Sequence, residues 1–163
     1  ELDIGWFEEP VAPEDLDGYC AIKAAINIPL AGGECEYTRF GFREILRRRA
    51  IDYLQPDTAA AGGLSECKKI ADMANAFGVR YVPHVWGSGI GLAAALQLLA
   101  VLPHNPPGRR PWEPLLEFDR SEHPFRQAIM KKPIEHANGV VTIPDGPGLG
   151  IEIDRDALES FKN

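Results

Sequence analysis

The stretch YVPHVWGSGIGLAAALQLLAVL, from Tyr81 to Leu102, decides how the rest of the chain is read. A short β-branched and aromatic run ends on His84, a glycine-rich loop spans Trp86 to Gly89, and a helix apolar on nearly every face follows. That is a strand, a turn and a helix, with an imidazole held where the strand stops. A lone histidine at a strand end is more often structural than catalytic. Here the same arrangement recurs along the chain, each time with an acid in the histidine's place.

GWFEEP sets Glu8 after a short aromatic-rich strand and PLAGGE sets Glu34 after the next. YLQPD sets Asp57 after a third, and PLLE sets Glu117 after the strand that follows His84. The steps are 26, 23, 27 and 33 residues. A strand of about five residues, a helix of about eleven and two short loops fill such a step. Strands alternating with helices at this period predict a parallel α/β sheet, because parallel neighbours need a crossover helix. Polar groups at the carboxyl ends of successive parallel strands share one rim, which is where α/β barrels keep their chemistry.

Strands are predicted over Asp3–Phe7, Pro29–Ala31, Ile51–Gln55, Val79–Val82 and Leu115–Leu116. Pro13-Glu14-Asp15 opens a helix that runs through Leu16 to Ile26, with its acids at the positive end of the macrodipole. Thr38 caps a second helix to Arg49, and a third runs from Leu64 to Phe77 with Gly78 closing it. Between Gly89 and Leu102 the only strongly polar interior residue is Gln97, so this helix is covered on both sides. One cover is the sheet, and the other is a further part of the protein or a second subunit. Past Asp119 the rhythm stops. Asn138-Gly139 signals a hairpin within Ile134–Pro144, Pro147–Ile153 is extended, and Asp154–Phe161 is a short helix. Residues 1–119 therefore form a partial (β/α)-barrel with an active-site rim, and 120–163 a tail that packs on the barrel or on a capping domain and carries no chemistry of its own.

A chain of 163 residues holds one sizeable core. The net charge is −7 and the longest basic block is Arg47-Arg48-Arg49, which argues against a nucleic-acid surface. Three cysteines, Cys20, Cys35 and Cys67, without CxxC or Cys/His spacing point to a reducing, cytoplasmic compartment and no zinc site. No signal peptide is present and the run from Gly89 to Leu102 is too short to cross a bilayer. The chain opens at Glu1 without methionine, and five strands do not close an eight-stranded barrel. It is read as a piece of a longer protein or as an open sheet in its own right. Unpaired edges at Asp3–Phe7 and Leu115–Glu117 and the apolar helix predict a homo-oligomer or a chain bound to its other half.

Glu8 and Glu34, at adjacent strand ends, are spaced as ligands for a hard divalent cation such as Mg²⁺. Glu9 competes with Glu8, since strand alternation points one of the two inward and the other away without saying which. Asp57 and His84, one step apart, make a carboxylate–imidazole pair able to abstract a proton, or a structural hydrogen bond. Glu117 is a carboxyl that donates to an oxyanion when held protonated. Glu113 is its rival, set back behind Pro114. His104, His123 and His136 read as surface residues, and Gly87-x-Gly89-x-Gly91 as a loop, because it lacks dinucleotide-fingerprint spacing and the Walker lysine.

GWFEEP, GGE, QPD, PHVW and LLEFD, in this order and at these steps, resemble the barrel domain of the enolase superfamily, and within it the mandelate racemase group. The resemblance runs from Glu1 to about Ile153. It implies the C-terminal half of a TIM-barrel-like enzyme, a lyase (acid-sugar dehydratase) or an isomerase (racemase), that removes the proton α to a carboxylate. Its substrate would be a small sugar acid or 2-hydroxy acid. By this likeness Glu8 and Glu34 match two of three magnesium ligands, Asp57 and His84 the general acid–base dyad, and Glu117 the acid that hydrogen-bonds the enolate. The third ligand, an upstream lysine motif and the capping domain have no counterpart in the chain. The competing reading is a non-catalytic α/β domain whose acidic rim binds a cation or a partner.

Overall fold

The computed structural model describes residues 2–103 and 113–162. His104 and most of the Pro103–Pro114 loop lie outside them. Four parallel strands, β1 (Phe7–Glu8), β2 (Leu30–Gly32), β3 (Tyr53–Leu54) and β4 (Arg80–Tyr81), pair in chain order. The registers Phe7↔Leu30, Ala31↔Tyr53 and Tyr53↔Arg80 set all four carboxyl ends at one edge. Helices α1 (Leu16–Ala25), α2 (Thr38–Arg48), α3 (Gly63–Phe77) and α4 (Gly89–Val101) follow the strands in turn. This is the predicted α/β alternation.

β3 and β4 are each shorter than the predicted strand, β2 keeps its predicted length shifted by one residue, and β1 begins only at Phe7. The predicted fifth strand does not form: among the described residues Leu115 and Leu116 have no ladder partner. Pro114 offers no N–H, and the Val85 N–H at the end of β4 is taken by the Glu117 carboxylate at 2.8 Å. Thr38 is not the cap of α2 either. The cap position is Tyr37, and Thr38 has a φ of 56°. An orphan donor at that helix start, the Arg39 N–H, is satisfied from α3 by Glu66 Oε1 at 2.9 Å, which also receives the Arg39 guanidinium. Asp15 does cap α1, accepting from the Gly18 N–H at 2.8 Å.

Beyond the βα run come α5 (Pro124–Ala128), a two-stranded hairpin β5 (His136–Ala137) and β6 (Val140–Val141), and α6 (Arg155–Ser160). Asn138 and Gly139 turn the hairpin with φ of 52° and 78°, the left-handed pair that a type I′ turn needs. Helix α5 was not foreseen from the sequence.

Two apolar clusters share α4. Leu98 and Leu99 join Leu30, Leu46, Leu54 and Ile70 between sheet and helices. Leu92 and Leu96 join Val85 and, from the tail, Ile129, Met130 and Ile134. The second cover of the apolar helix is therefore the tail of the same chain, where a further part of the protein or a second subunit had been expected. Among the described residues no helix is long and apolar enough to cross a membrane.

Candidate active site

Each strand delivers its polar residue to the rim. At the end of β1, Glu8 Oε2 accepts hydrogen bonds from Trp6 Nε1 and Gln55 Nε2, each 2.9 Å long. Gln55 is fully buried below the rim, so it fixes an otherwise exposed carboxylate. Sequence reasoning missed Gln55 and Trp6. The available signal was the two-residue period of a strand, which puts Gln55 on the side of Asp57 and Trp6 on the side of Glu8.

Glu8 and Glu9 face different surroundings, as alternation requires: Glu8 is held by Trp6 and Gln55, whereas Glu9, with a φ of 39°, lies with Tyr19, Gly32 and Cys35 at the end of β2. There Glu9, Glu34 and Cys35 bring their ligand atoms within 4.8 Å of one another. Burial raises the Glu9 pKa, and the charge of Glu34 adds to the rise. Burial and the same two acids also raise the Cys35 thiol, which keeps it neutral. The hard donors at this end of the sheet are thus the three carboxylates. Gly33 makes the bend before Glu34, with φ of 117°, a conformation that only glycine adopts without strain.

At the ends of β3 and β4, Asp57 and His84 are linked twice. Their backbones form a parallel bridge, and His84 Nδ1 lies 2.9 Å from Asp57 Oδ2. Asp57 Oδ1 accepts from the Ala59 N–H at 2.6 Å. Burial pushes the Asp57 pKa up, but the hydrogen bonds from His84 and Ala59 outweigh it and the net shift is down. The His84 pKa is raised, first by the Asp57 hydrogen bond, against burial and with help from the charges of Glu117 and Glu34. His84 Nε2 lies 3.3 Å from Glu34 Oε2, so one imidazole bridges the dyad to the acidic end. Beside it, a cleft of about 290 Å³ is lined by Asp57, His84, Trp86, Ile90 and Ala94 among others.

Glu117 sits against the same strand end through the Val85 N–H. Burial raises its pKa, opposed by that N–H and by His84. Glu113 lies elsewhere: its carbonyl accepts from the Arg80 guanidinium, at the opposite end of β4. The structure therefore brings Glu34, Asp57 and His84 into contact, holds Glu117 beside them on the Val85 N–H, and sets Glu8 on the same rim, bonded to Gln55. His123 is half-buried and accepts from the Arg126 N–H at 3.1 Å as the cap of α5, while His136 is exposed in β5.

Comparison with known proteins bears on the family and the fold. Residues 1–157 match the family described as enolase C-terminal domain-like. The chain is 55% identical over 159 residues to a D-galactarolactone cycloisomerase of Agrobacterium fabrum, covering 98% of the chain and 42% of that protein. An arabinonate dehydratase of Saccharolobus solfataricus is 37% identical over 162 residues, which are 99% of the chain and 41% of that protein. Among solved structures, the 3,6-anhydro-D-galactonate cycloisomerase from Zobellia galactanivorans superposes with a TM-score of 0.87 at 43% identity, over 98% of this chain and 43% of that one. The chain thus spans about two fifths of the length of these relatives.

Proposed function

This chain belongs to the enolase C-terminal domain-like family, and we propose that its rim removes the proton α to the carboxylate of a sugar acid. The observation that carries the reading is the contact between His84 Nδ1 and Asp57 Oδ2, which fixes the tautomer when Asp57 is ionised. The Nδ1–H is committed to Asp57 at 2.9 Å, so the neutral ring keeps its lone pair on Nε2, facing the rim. His84 takes the α-proton there, and the electron pair of the C–H bond moves toward the carboxylate. Glu117, whose pKa burial raises, donates a hydrogen bond in its protonated form to the oxygen on which charge builds. A C–O bond at the β-carbon then breaks, and the departing oxygen takes the proton from His84. If that oxygen is a free hydroxyl, water leaves and the acid is dehydrated. If it belongs to a lactone or anhydro ring, it stays attached and the product is an isomer. The relatives named dehydratase and cycloisomerase support these two outcomes.

Glu8 and Glu34 fit a magnesium ion: both offer hard carboxylate oxygens at adjacent strand ends, and Glu8 is already oriented by Trp6 and Gln55. The ion would supply fixed positive charge beside the substrate carboxylate. Glu34, in reach of His84 Nε2, would keep substrate, ion and base in one register.

The test uses the full-length protein with magnesium and a panel of sugar acids and their lactones in D₂O. Solvent deuterium should enter the α-position or the product, and His84→Asn should lower that rate by at least ~10²-fold. A wild type that exchanges and converts nothing would leave the non-catalytic, cation-binding domain as the better account.

A further inference from the structure

One buried side chain links the tail to the rim. Arg126, on α5, is 7% exposed, and its guanidinium is used on three sides. Nε donates to the Gly87 carbonyl at 3.1 Å. Nη1 donates to the carbonyls of Asp119 at 3.1 Å and Ser121 at 3.3 Å. Nη2 pairs with the Asp119 carboxylate. Gly87 is three residues past His84, and Asp119 is two residues past Glu117. The Val85 N–H bond to Glu117 closes the circuit: His84–Val85–Gly87, Arg126, Asp119–Glu117 and back to Val85.

The packing around this circuit admits little slack. A Cβ built on Gly89 would lie 2.8 Å from the Arg126 carbonyl and would also strike the Met130 side chain, so the start of α4 accepts α5 only because residue 89 is glycine. Trp86 and His123 add an edge-to-face contact at 6.3 Å between the same two segments. Nothing in this arrangement presents Arg126 to solvent or to the cleft. A buried guanidinium is a poor source of net stability, because desolvation offsets most of its attraction. Its rigid fork does fix the relative positions of several acceptors at once.

We propose that Arg126 is a positioning residue of the site: it holds the His84 loop and the Glu117 segment in register, so that base and hydrogen-bond donor meet the same substrate. This rests on the proton-transfer reading above. It also assigns the tail, which carries no group facing the cleft through Arg126, a part in the chemistry. Lysine at this position keeps the charge and the Asp119 pair but cannot span three acceptors.

The experiment compares wild type, Arg126→Ala and Arg126→Lys in the full-length protein. A displacement of about 1 Å lowers turnover by up to ~10²-fold, so kcat should fall on that scale in Arg126→Ala. KM and magnesium dependence should stay within about threefold, since Arg126 bonds Gly87, Asp119 and Ser121 and touches neither Glu8 nor Glu34. Millimolar guanidinium should restore kcat at least about tenfold and equal sodium chloride should not, as expected when the fork refills its place. Should Arg126→Ala fail to fold, Arg126→Lys decides. Independently of turnover, amide exchange at Val85 should quicken by roughly tenfold in Arg126→Lys, while Val82, bonded to Leu54, stays protected. Unchanged Val85 exchange in Arg126→Lys overturns the proposal. Faster exchange with full kcat in an active enzyme overturns it as well. A wild type without turnover on sugar acids overturns the proposed chemistry instead, and the exchange result then judges the tie alone.

Discussion

The two ends of the rim solve the problem of buried charge differently. At the β3–β4 end, Asp57 and His84 are 17% and 13% exposed in their side chains, and each charge meets a partner of the chain's own making. At the β1–β2 end, Glu8, Glu9 and Glu34 crowd like charges together, and Glu9 Oε1 is buried without a hydrogen-bond partner. A pair of opposite charges is set in place by folding alone. A cluster of like charges is a strain on the fold that a cation relieves. Under the proposed function, the first end serves the reaction step and the second holds the cation.

The sharpest way to break this contrast is to cut the pair. Asp57→Ala leaves His84 without the acceptor that fixes its tautomer, so kcat in the full-length protein should fall by at least ~10²-fold. Removing one partner of a buried hydrogen bond should also lower stability by about 1–3 kcal/mol. The milder Asp57→Asn carries a pH signature. The folded pKa of Asp57 lies below its ordinary value, so its contribution is present above the unfolded pKa of about 3.9 and is lost as pH falls through the folded value. The stability gap between wild type and Asp57→Asn, read from denaturant midpoints, should be full at pH 6 and close progressively below about pH 4.

Glu8→Gln tests the other end. Activity should fall at limiting magnesium and recover in part at excess, while the melting temperature of the metal-free protein should move by less than about 2 °C, the surface-substitution scale. A large loss of metal-free stability would show that Glu8 acts through Gln55 as a structural anchor. The smallest expected effect is that of Glu9→Gln. Removing one of three mutually repelling charges should stabilise the metal-free protein by a few tenths of a kcal/mol, within the usual range for partly exposed charges. Destabilisation would mean that Glu9 holds the loop at Gly33 more than it strains it.

The rim was legible because its residues recur: four acids and a histidine at nearly equal steps place strand ends without any knowledge of packing. The same logic misread Leu115–Leu116, since composition does not reveal that Pro114 and the Val85–Glu117 bond leave no ladder to join. It misread Thr38 as a cap because the acceptor for that helix start, Glu66, comes from another helix. Alternation separated Glu8 from Glu9 but did not say which faces the rim, because that depends on Gln55, a partner two strands away. Arg126 carried no periodic signal at all. One basic residue in a polar tail looks like any other until the fold surrounds it with carbonyls.

Helix α4 serves both apolar clusters, giving Leu98 and Leu99 to one and Leu92 and Leu96 to the other. A shared wall makes the clusters one cooperative unit, because neither can melt without exposing the face that the other leans on. Sequence change on α4 is therefore constrained from two directions. A larger side chain that suits the sheet must also suit the tail, and drift in the tail is policed by the core of the barrel half.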